Sequence, residues 1–359
     1  MSATSLLLAV AVSPPKNVVL FNLDDVGLGD VCSYRTDWGW ICENGLATPH
    51  IDKLAQHGAR FTSAHSAGVN SAPSRAAIIT GNLPMRGCGE GLGNGAWGLQ
   101  WPATTCEGQR TFGKLFQDAG YLTAIVGKHL LGGEVYRRSK RGSVWVEKEH
   151  PLSDADHIDQ GFVRGPRATG FDYSFVTPTG IQNGPYGFYE DEHMVDVWRE
   201  AGEWTWQRAS MQPEIPADDC APASEWCSEP TVTQALLPSN EMAGKACLSG
   251  LCQECSRSCS KAVRKRGKKF KLLTAKGWNT SQVGEIYTQA ALEFVEDAKQ
   301  RGNHPFFLYF NSQAVHTPHT PGYTYRGKPT WNTTRTVHLD MMNEADLQVR
   351  DAHITGIHT

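Results

Sequence analysis

Three apolar runs of strand length constrain the fold more than any other feature of this chain. They cover Asn17–Leu23, Tyr121–Gly127 and Pro305–Asn311. Continuous apolar runs without polar alternation are typical of strands buried on both faces of a parallel sheet. Segments with helical periodicity lie between them, and such strand–helix alternation predicts a mostly parallel central sheet with helices on both faces. The expected fold class is therefore α/β.

Local signals place the starts of these helices. Thr48, Thr111 and Ser281 are residues that cap helices well, and Pro49 suits a first helical position. The helix predicted after Ser281 carries one apolar stripe, formed by Val283, Ile286, Tyr287, Ala290 and Phe294.

Composition excludes several classes of protein. The chain has 359 residues, enough for one large domain or two. Its 34 Lys and Arg nearly balance 37 Asp and Glu, so nothing favours nucleic acid as a partner. The 11 Trp, 13 Phe and 10 Tyr argue against disorder as the main state. The chain has no apolar run of about 18 residues, which excludes a membrane span.

Several features bear on the compartment. Residues 1–16 contain an apolar run, Leu6–Val12, that fits a signal peptide or a ragged first strand, although no Lys or Arg precedes it. Asn279 and Asn332 begin N-glycosylation tripeptides. Ten cysteines are present, and six of them lie between Cys220 and Cys259. These six fit disulfides of a secreted loop, zinc or iron–sulfur ligation, or free thiols. The expected location is the secretory pathway, either extracellular or lysosome-like.

The pattern of one domain over residues 17–359 is interrupted at about 200–277. That stretch is polar, Cys-rich and without clear periodicity, and is interpreted as an excursion from the core. It includes the basic segment Lys261–Lys271, which fits a solvated loop or a contact with a polyanion such as a sulfated glycan.

Acidic residues follow the first apolar run directly. Ligands bind at the carboxyl ends of strands in open parallel sheets, and Asp24 and Asp25 are predicted there. Two adjacent carboxylates suit Ca²⁺ or Mg²⁺, although such a pair alone is also typical of a turn.

A second segment suits an anion. Pro73 and Ser74 fit a helix entry, where free N–H groups and the helix dipole attract negative charge. Arg75 adds bidentate geometry for sulfate or phosphate. Ser71, expected just before the helix, is placed like a nucleophile.

Two further segments end strands with groups that bind oxyanions or transfer protons: Lys128 with His129, and His316. Each His alone also fits a packing or surface residue. Together the four segments predict one site that holds a cation and an anion.

Four stretches resemble the sulfatases of the alkaline phosphatase superfamily. They occur in the family's order over Asn17–Val349, apart from the excursion. The resemblance implies an alkaline phosphatase-like fold and arylsulfatase-like hydrolysis of sulfate esters on a small molecule or glycan. The stretches are NVVLFNLDDVGLGD, TPHIDKLAQHGARFTSAHSAGVNSAPSRAAIITG, AGYLTAIVGKHLLG and HPFFLYFNSQAVHTPH.

The resemblance also implies roles for the acidic residues and the serine. Asp24 and Asp25 match the family's first two metal ligands, usually for Ca²⁺. Ser71 matches the residue that a sulfatase-maturing enzyme oxidises to formylglycine. Its hydrate attacks sulfur through one hydroxyl, and the second hydroxyl then drives elimination of sulfate.

The basic residues receive implied roles as well. Arg75 would stabilise the hydrate and the sulfate charge, Lys128 would bind a sulfate oxygen, and His316 would contact sulfate or the leaving group. The chain reads GKHLLG where the family usually has GKWHLG, so either His129 has shifted by one place or Leu130 replaces the family's His.

Two other departures shape the expectations. Most eukaryotic members carry Cys at the position of Ser71 and some bacterial members carry Ser. Without conversion, its single hydroxyl predicts slow or single-turnover hydrolysis. The segment Met341–Val349 resembles the family helix before a Ser-Asp-Asn-Gly strand, and no such motif follows up to Thr359. We therefore expect a partial catalytic domain, incomplete at its C-terminus, with an under-liganded metal site.

Two alternative functions keep the same fold. One is a phosphatase or phosphodiesterase that uses Ser71 directly with Zn²⁺. The other is a non-catalytic protein that binds sulfated glycans through Arg75, Lys128 and Lys261–Lys271. The sequence leaves the particular sulfate ester open.

Overall fold

The chain is described from a computed structural model. Residues whose structure is described are 16–35, 37, 39, 42, 46–86, 103–133, 136–139, 142–145, 156–157, 161–182, 186–195, 204–207, 272–275, 278–302 and 304–356. The predicted segment Leu6–Val12, the cysteines from Cys220 to Cys259, and Lys261–Lys271 lie outside these residues.

The helices and strands alternate along the chain as the apolar pattern predicts. The helices are α1 Cys32–Arg35, α2 Pro49–His57, α3 Ser71–Thr80, α4 Phe112–Asp118, α5 Val283–Gln300 and α6 Val337–Gly356. The strands are β1 Val18–Asn22, β2 Leu122–Lys128, β3 Tyr136–Ser139, β4 Gly142–Trp145, β5 Asp156–His157, β6 Tyr173–Thr177, β7 Phe188–Glu190, β8 His193–Val195, β9 Trp204–Gln207, β10 Leu272–Ala275, β11 Phe306–Asn311, β12 Thr324–Tyr325 and β13 Lys328–Pro329.

The central sheet has the strand order β1-β11-β2-β6-β7-β8. Its first four strands are parallel, and β7 and β8 continue it in antiparallel fashion. The three apolar runs are thus neighbours, and the mostly parallel α/β sheet predicted from them is confirmed. Asn311 pairs with Asn22 on one side and with Gly127 on the other, so the carboxyl ends of β1, β11 and β2 are level.

Helices cover both faces of this sheet. On one face α5 and α6 pack over β11, where Phe294 meets Phe306 at 6.0 Å between ring centroids. On the other face α3 and α4 pack over the alternate residues of β11, and the Phe116 ring stacks on Phe307 at 4.0 Å. Burying each such ring stabilises the fold by about 2–3 kcal/mol, because it leaves water.

The helix starts follow the capping signals only in part. Thr111 caps α4, because its hydroxyl accepts from the Lys114 amide at 3.3 Å. The expectation for Ser281 is wrong: α5 begins at Val283, after a short 3₁₀ turn that Asn279 caps by accepting from the Ser281 amide. The predicted stripe is nevertheless inward, with Tyr287 fully buried.

Thr48 precedes α2 but does not cap it with its side chain. Its hydroxyl donates to Asp52 and accepts from the Cys32 amide. Asp346, on α6, takes the capping role, since its carboxylate accepts from the amides of His50 and Ile51. A distant helix therefore satisfies the start of α2.

Other described features bear on the excursion and the compartment. β9 and β10 pair antiparallel, so two segments from within the predicted excursion meet. Cys32 and Cys42 form a disulfide, a pairing not predicted from the sequence. Asn279 and Asn332 are exposed. Among the described helices, none combines the length and apolar character needed to cross a bilayer.

Candidate functional site

Four of the predicted site residues meet at the carboxyl ends of β1 and β2. Asp24 follows β1, Lys128 ends β2, and Ser71 and Arg75 lie on the first turn and a half of α3. The parallel sheet brings the strand ends together, and α3 packs across them. Residues separated by more than one hundred positions therefore share one centre, as expected for this architecture.

Ser71 is the first residue of α3 rather than the residue before it, because Asn70 is the N-cap. The helix thus begins two residues earlier than Pro73 indicates. Arg75 donates from Nε to Ser71 Oγ at 2.9 Å, and this hydroxyl donates to Asp24 Oδ1 at 3.2 Å. The hydroxyl is oriented by one cation and one carboxylate, and it is half-buried.

Arg75 is 2% exposed and fully engaged. One terminal nitrogen donates to the Lys128 carbonyl at 3.0 Å and to Asn311 Oδ1 at 2.8 Å. The other terminal nitrogen lies 3.5 Å from Asp24 Oδ2. These contacts fix the plane of the guanidinium, so one edge faces Ser71 and Asp24.

Sequence reasoning missed Asn22 and Asn311. Asn22 Nδ2 donates to Asn311 Oδ1 at 3.1 Å, and the same oxygen accepts from Arg75. The available signal was a polar amide at or next to the end of two of the three apolar runs. Because the two strands are parallel neighbours in register, these amides face one another and support Arg75.

Lys128 is completely buried, and its Nζ lies 2.5 Å from Asp24 Oδ2. Burial, with a smaller contribution from the Arg75 charge, lowers the pKa of Lys128 to about 8, against the opposing attraction of Asp24. Burial alone would raise the pKa of Asp24, but the charges of Arg75 and Lys128 outweigh it and lower that pKa. Asp24 is therefore held as a carboxylate.

The balance of charge at this centre suits an anion. Arg75 and Lys128 are two cations, and among the residues with a described structure Asp24 is the carboxylate in contact with both. An oxyanion entering beside Ser71 would complete the charge compensation in surroundings where electrostatic interactions are strong.

Asp25 and His316 lie at the outer edge of the site. Asp25 is exposed, and its backbone has a positive φ of 61°. His316, in the segment after β11, places Nε2 3.6 Å from Asp25 Oδ2 and Nδ1 2.5 Å from the Thr317 carbonyl oxygen. The fourth predicted segment thus reaches the same centre, with its imidazole facing a carboxylate.

His129 is 2% exposed, and its ring meets Phe162 edge-on at 5.3 Å. Neither ring nitrogen has a hydrogen-bond partner among the described residues. Burial, with a smaller contribution from the Arg75 charge, lowers the pKa of His129 to about 3, so the ring is neutral. Leu130, where the family usually has His, is buried as well.

Carboxylate oxygens are the type of donor that a hard divalent cation prefers. Asp24 and Asp25 supply carboxylates, but Asp24 Oδ2 already accepts from Lys128. Within the described part of the chain, no group of three or more His, Cys, Asp and Glu is arranged to hold a metal ion. Two carboxylates are fewer than the six or more oxygens that a calcium ion takes.

Comparisons with known proteins identify the family of this chain. A sequence model of the family described as Sulfatase matches residues 16–213, more than half of the chain. The N-acetylgalactosamine-6-O-sulfatase of Bacteroides thetaiotaomicron is 27% identical over 355 residues, covering 94% of this chain and 57% of that protein. Human arylsulfatase H is 37% identical over 152 residues, covering 40% of this chain and 24% of that protein. The chain thus spans little more than half the length of the first of these relatives.

Solved structures show the same fold. A Bacteroides thetaiotaomicron protein of glycosaminoglycan metabolism aligns with a TM-score of 0.60 at 22% identity, covering 96% of this chain and 59% of that one. A sulfatase from Pseudoalteromonas sp. aligns with a TM-score of 0.50 at 21% identity, covering 95% and 51%. The sheet order, the residues at its strand ends and the family match lead to one conclusion: this chain belongs to the sulfatase family.

Proposed function

We propose that this chain is the catalytic part of a sulfuric ester hydrolase of the arylsulfatase type. The observation that carries the proposal is the placement of the Ser71 hydroxyl between Arg75 and Asp24, with the buried ammonium of Lys128 on the same carboxylate. A nucleophile position at a helix N-terminus beside two buried cations suits a substrate that carries negative charge on oxygen.

Each side chain has a role in this proposal. Ser71 holds the position of the nucleophile, and Arg75 and Lys128 bind the oxygens of the sulfate group. His316, at the outer edge, faces the leaving group and supplies a proton to its oxygen. His129 contributes as a neutral group beside Arg75, consistent with its burial.

The proposal includes conversion of Ser71 to formylglycine. Oxidising the Cβ alcohol to an aldehyde removes two electrons and two protons, which a sulfatase-maturing enzyme would take up. The hydrated aldehyde supplies a second hydroxyl, which lets the sulfated intermediate release sulfate by elimination. Arg75 and Asp24 fit this group, because one donates to and the other accepts from the oxygen on Cβ.

A Ca²⁺ or Mg²⁺ ion belongs to the proposed site, held in part by Asp24 and Asp25. It would supply positive charge beside the sulfate oxygens. The exposed carboxylate of Asp25 is open to such an ion, whereas Lys128 and Arg75 share Asp24 with it.

The proposed substrate is a sulfated sugar or glycan, with sulfated small molecules as simpler substrates. Support comes from the relatives, several of which are named N-acetylgalactosamine-6-sulfatases. We place the protein in the secretory pathway, because the Cys32–Cys42 disulfide is typical of oxidising compartments.

A paired assay tests the function. The chain, co-produced with a serine-type sulfatase-maturing enzyme, is given 4-nitrophenyl sulfate and 4-nitrophenyl phosphate, each with and without Ca²⁺. We expect turnover of the sulfate ester, stimulated by Ca²⁺, and little turnover of the phosphate ester. Preferred hydrolysis of the phosphate would favour a phosphatase, and sulfate or heparin binding without turnover of either ester would favour a binding protein.

Mass spectrometry of the peptide that holds Ser71 tests the modification separately. We expect a peptide two mass units lighter than the serine form. The fraction of the peptide that carries this loss should rise in proportion to the turnover number of the preparation. Full multi-turnover activity in a protein whose Ser71 peptide keeps the mass of serine would sink the formylglycine mechanism.

A further inference from the structure

A cluster of buried polar side chains lies outside the site, between α6 and the segment that follows β11. Ser312, Gln313, Glu344 and Gln348 form it, and each is 2% exposed or less. We refer to these four residues as the buried polar cluster. None of them has a role in the proposed chemistry.

Hydrogen bonds connect this cluster to Asp24 step by step. Ser312 Oγ donates to Gln348 Oε1 at 2.7 Å and accepts from the Ala314 amide at 3.0 Å. The Ala314 carbonyl accepts from the Asp24 amide at 2.8 Å, and the Val315 amide donates to the Asp24 carbonyl at 2.6 Å. Gln348 thus anchors the 314–315 backbone, which is hydrogen-bonded to both the amide and the carbonyl of Asp24.

Glu344 lies one turn before Gln348 on the same face of α6. Its Oε2 accepts from the Gly322 amide at 3.1 Å. Glu344 and Gln348 crowd Gly284 of α5, where a Cβ would lie 2.1 Å from Glu344 Oε1 and 2.4 Å from Gln348 Nε2. Only glycine permits α5 to approach this closely, and the approach confines both side chains.

Stability alone does not account for such a cluster. Buried polar groups cost free energy unless every hydrogen bond is made, and well-packed apolar side chains usually do as well or better. Here Gln348 Nε2 and Gln313 Oε1 have no partner among the described residues. Burial also raises the pKa of Glu344 to about 7, with Glu285 adding to the shift. Buried polar groups with unsatisfied hydrogen bonds are expected where they serve a functional site.

We propose that Gln348 is a positioning residue, which through Ser312 and the 314–315 backbone fixes Asp24 against Ser71 and Lys128. The inference rests on the proposed function, since it assigns Gln348 to the geometry of that site. Gln348 touches no reacting atom, so its effect reaches the chemistry through Asp24 alone.

Two variants remove the link from opposite ends. Gln348→Met keeps the length of the side chain without the acceptor, and Ser312→Ala removes the hydroxyl. We expect each to lower kcat for 4-nitrophenyl sulfate about tenfold with KM changed less than threefold. The double variant should be no slower than either single variant, because the same link is broken once.

A matched control separates positioning from loss of stability. Val295→Ala removes a buried side chain of α5 that belongs to the apolar core and not to the cluster. Measured well below its unfolding temperature, it should keep the wild-type kcat. An unchanged kcat in Gln348→Met and Ser312→Ala, or additive losses in the double variant, would overturn the proposal.

Crystal structures of the two variants give a readout independent of activity. We expect the Asp24 carboxylate to withdraw from Lys128 Nζ, which lies 2.5 Å away in the native arrangement. If the native chain does not hydrolyse the sulfate ester, the proposed function fails, and the displacement of Asp24 still decides the positioning role. An Asp24 that superposes on the native position in both variants contradicts it.

Discussion

Arg75 holds Ser71 across one turn of α3, with Nε 2.9 Å from Ser71 Oγ. The spacing of four residues puts the two side chains on the same face of the helix. Because Arg75 is also bound to Asn311 and the Lys128 carbonyl, the serine hydroxyl is oriented by groups on three different elements.

Arg75→Lys should lower turnover of an aryl sulfate at least one hundredfold. A lysine keeps the charge but has no planar fork, so the hydroxyl of Ser71 and the amide oxygen of Asn311 cannot both be served. Unfolding should also become easier by about 1–3 kcal/mol, since buried acceptors lose their donor. Arg60→Lys is the control: Arg60 pairs with Asp37 at the surface, and turnover should not change.

Ser71→Ala should abolish turnover while inorganic sulfate still binds within about threefold of the native affinity. The cations of Arg75 and Lys128 remain in place without the hydroxyl, and they provide most of the attraction for the anion. Isothermal titration with sodium sulfate measures the affinity. Weak binding by Ser71→Ala together with native binding by Arg75→Lys would show that the anion lies elsewhere.

The contribution of Glu344 to stability should fall as the pH rises from about 4.5 to 7. The pKa of Glu344 in the folded chain is raised to about 7 by burial, from an ordinary value of 4.5. A carboxyl with a raised folded-state pKa stabilises the fold fully below its unfolded pKa, and this contribution is lost as pH rises through the folded pKa. The shift corresponds to about 3 kcal/mol.

Glu344→Gln isolates this contribution, because the amide is neutral throughout the range. In chemical denaturation, we expect the stability of the variant relative to the native chain to increase as the pH rises from 4.5 to 7, because the variant lacks this loss. The two proteins share the remaining dependence, because burial raises the pKa of Asp346 to about 6 and lowers the pKa of His129 to about 3 in both. An unchanged pH profile in Glu344→Gln would exclude Glu344 as its source.

Gly127→Ala should prevent native folding. Gly127 has a φ of +109°, and a Cβ there would lie 1.9 Å from the Asn311 carbonyl oxygen, which belongs to the neighbouring strand. Gly302→Ala is a matched control with a φ of +97° and no atom within 4 Å of the added methyl. The Gly302→Ala variant therefore introduces only backbone strain, which should lower the free energy of unfolding by about 1–2 kcal/mol. Yields of soluble protein and thermal unfolding compare the two, and equal effects would contradict the steric argument.

The predictable part of the fold lay in local patterns. Apolar runs gave β1, β2 and β11 to within a residue or two. For β2 and β11 the reason is that a strand buried on both faces is apolar at nearly every position, whereas β1 is an edge strand that is only partly buried, with Leu20 37% exposed. The convergence of Asp24, Ser71 and Lys128 also followed from the sequence, since parallel strands bring their carboxyl ends together.

The remaining features depend on contacts between distant segments. The Asn22–Asn311 pair spans 289 residues, and Asp346 caps α2 from 295 positions away. These polar residues are visible in the sequence, but nothing local identifies their partners, because an amide or a carboxylate looks the same whether solvent, another amide or a helix end lies opposite. The start of α5 was predicted wrongly although the signals there are local. Two capping residues lie close together, and Asn279, two residues before Ser281, is the one that caps.

The pairing of β1 with β11 also determines how late in biosynthesis the central sheet can form. Asn22 and Asn311 are separated by 289 residues, so β1 leaves the ribosome long before the strand beside it is made. At ordinary translation rates this interval lasts roughly 15–60 seconds. During that time β1 is an apolar segment that chaperones must shield from aggregation, and Asp24 cannot take its place until the strand and the segment after it have emerged.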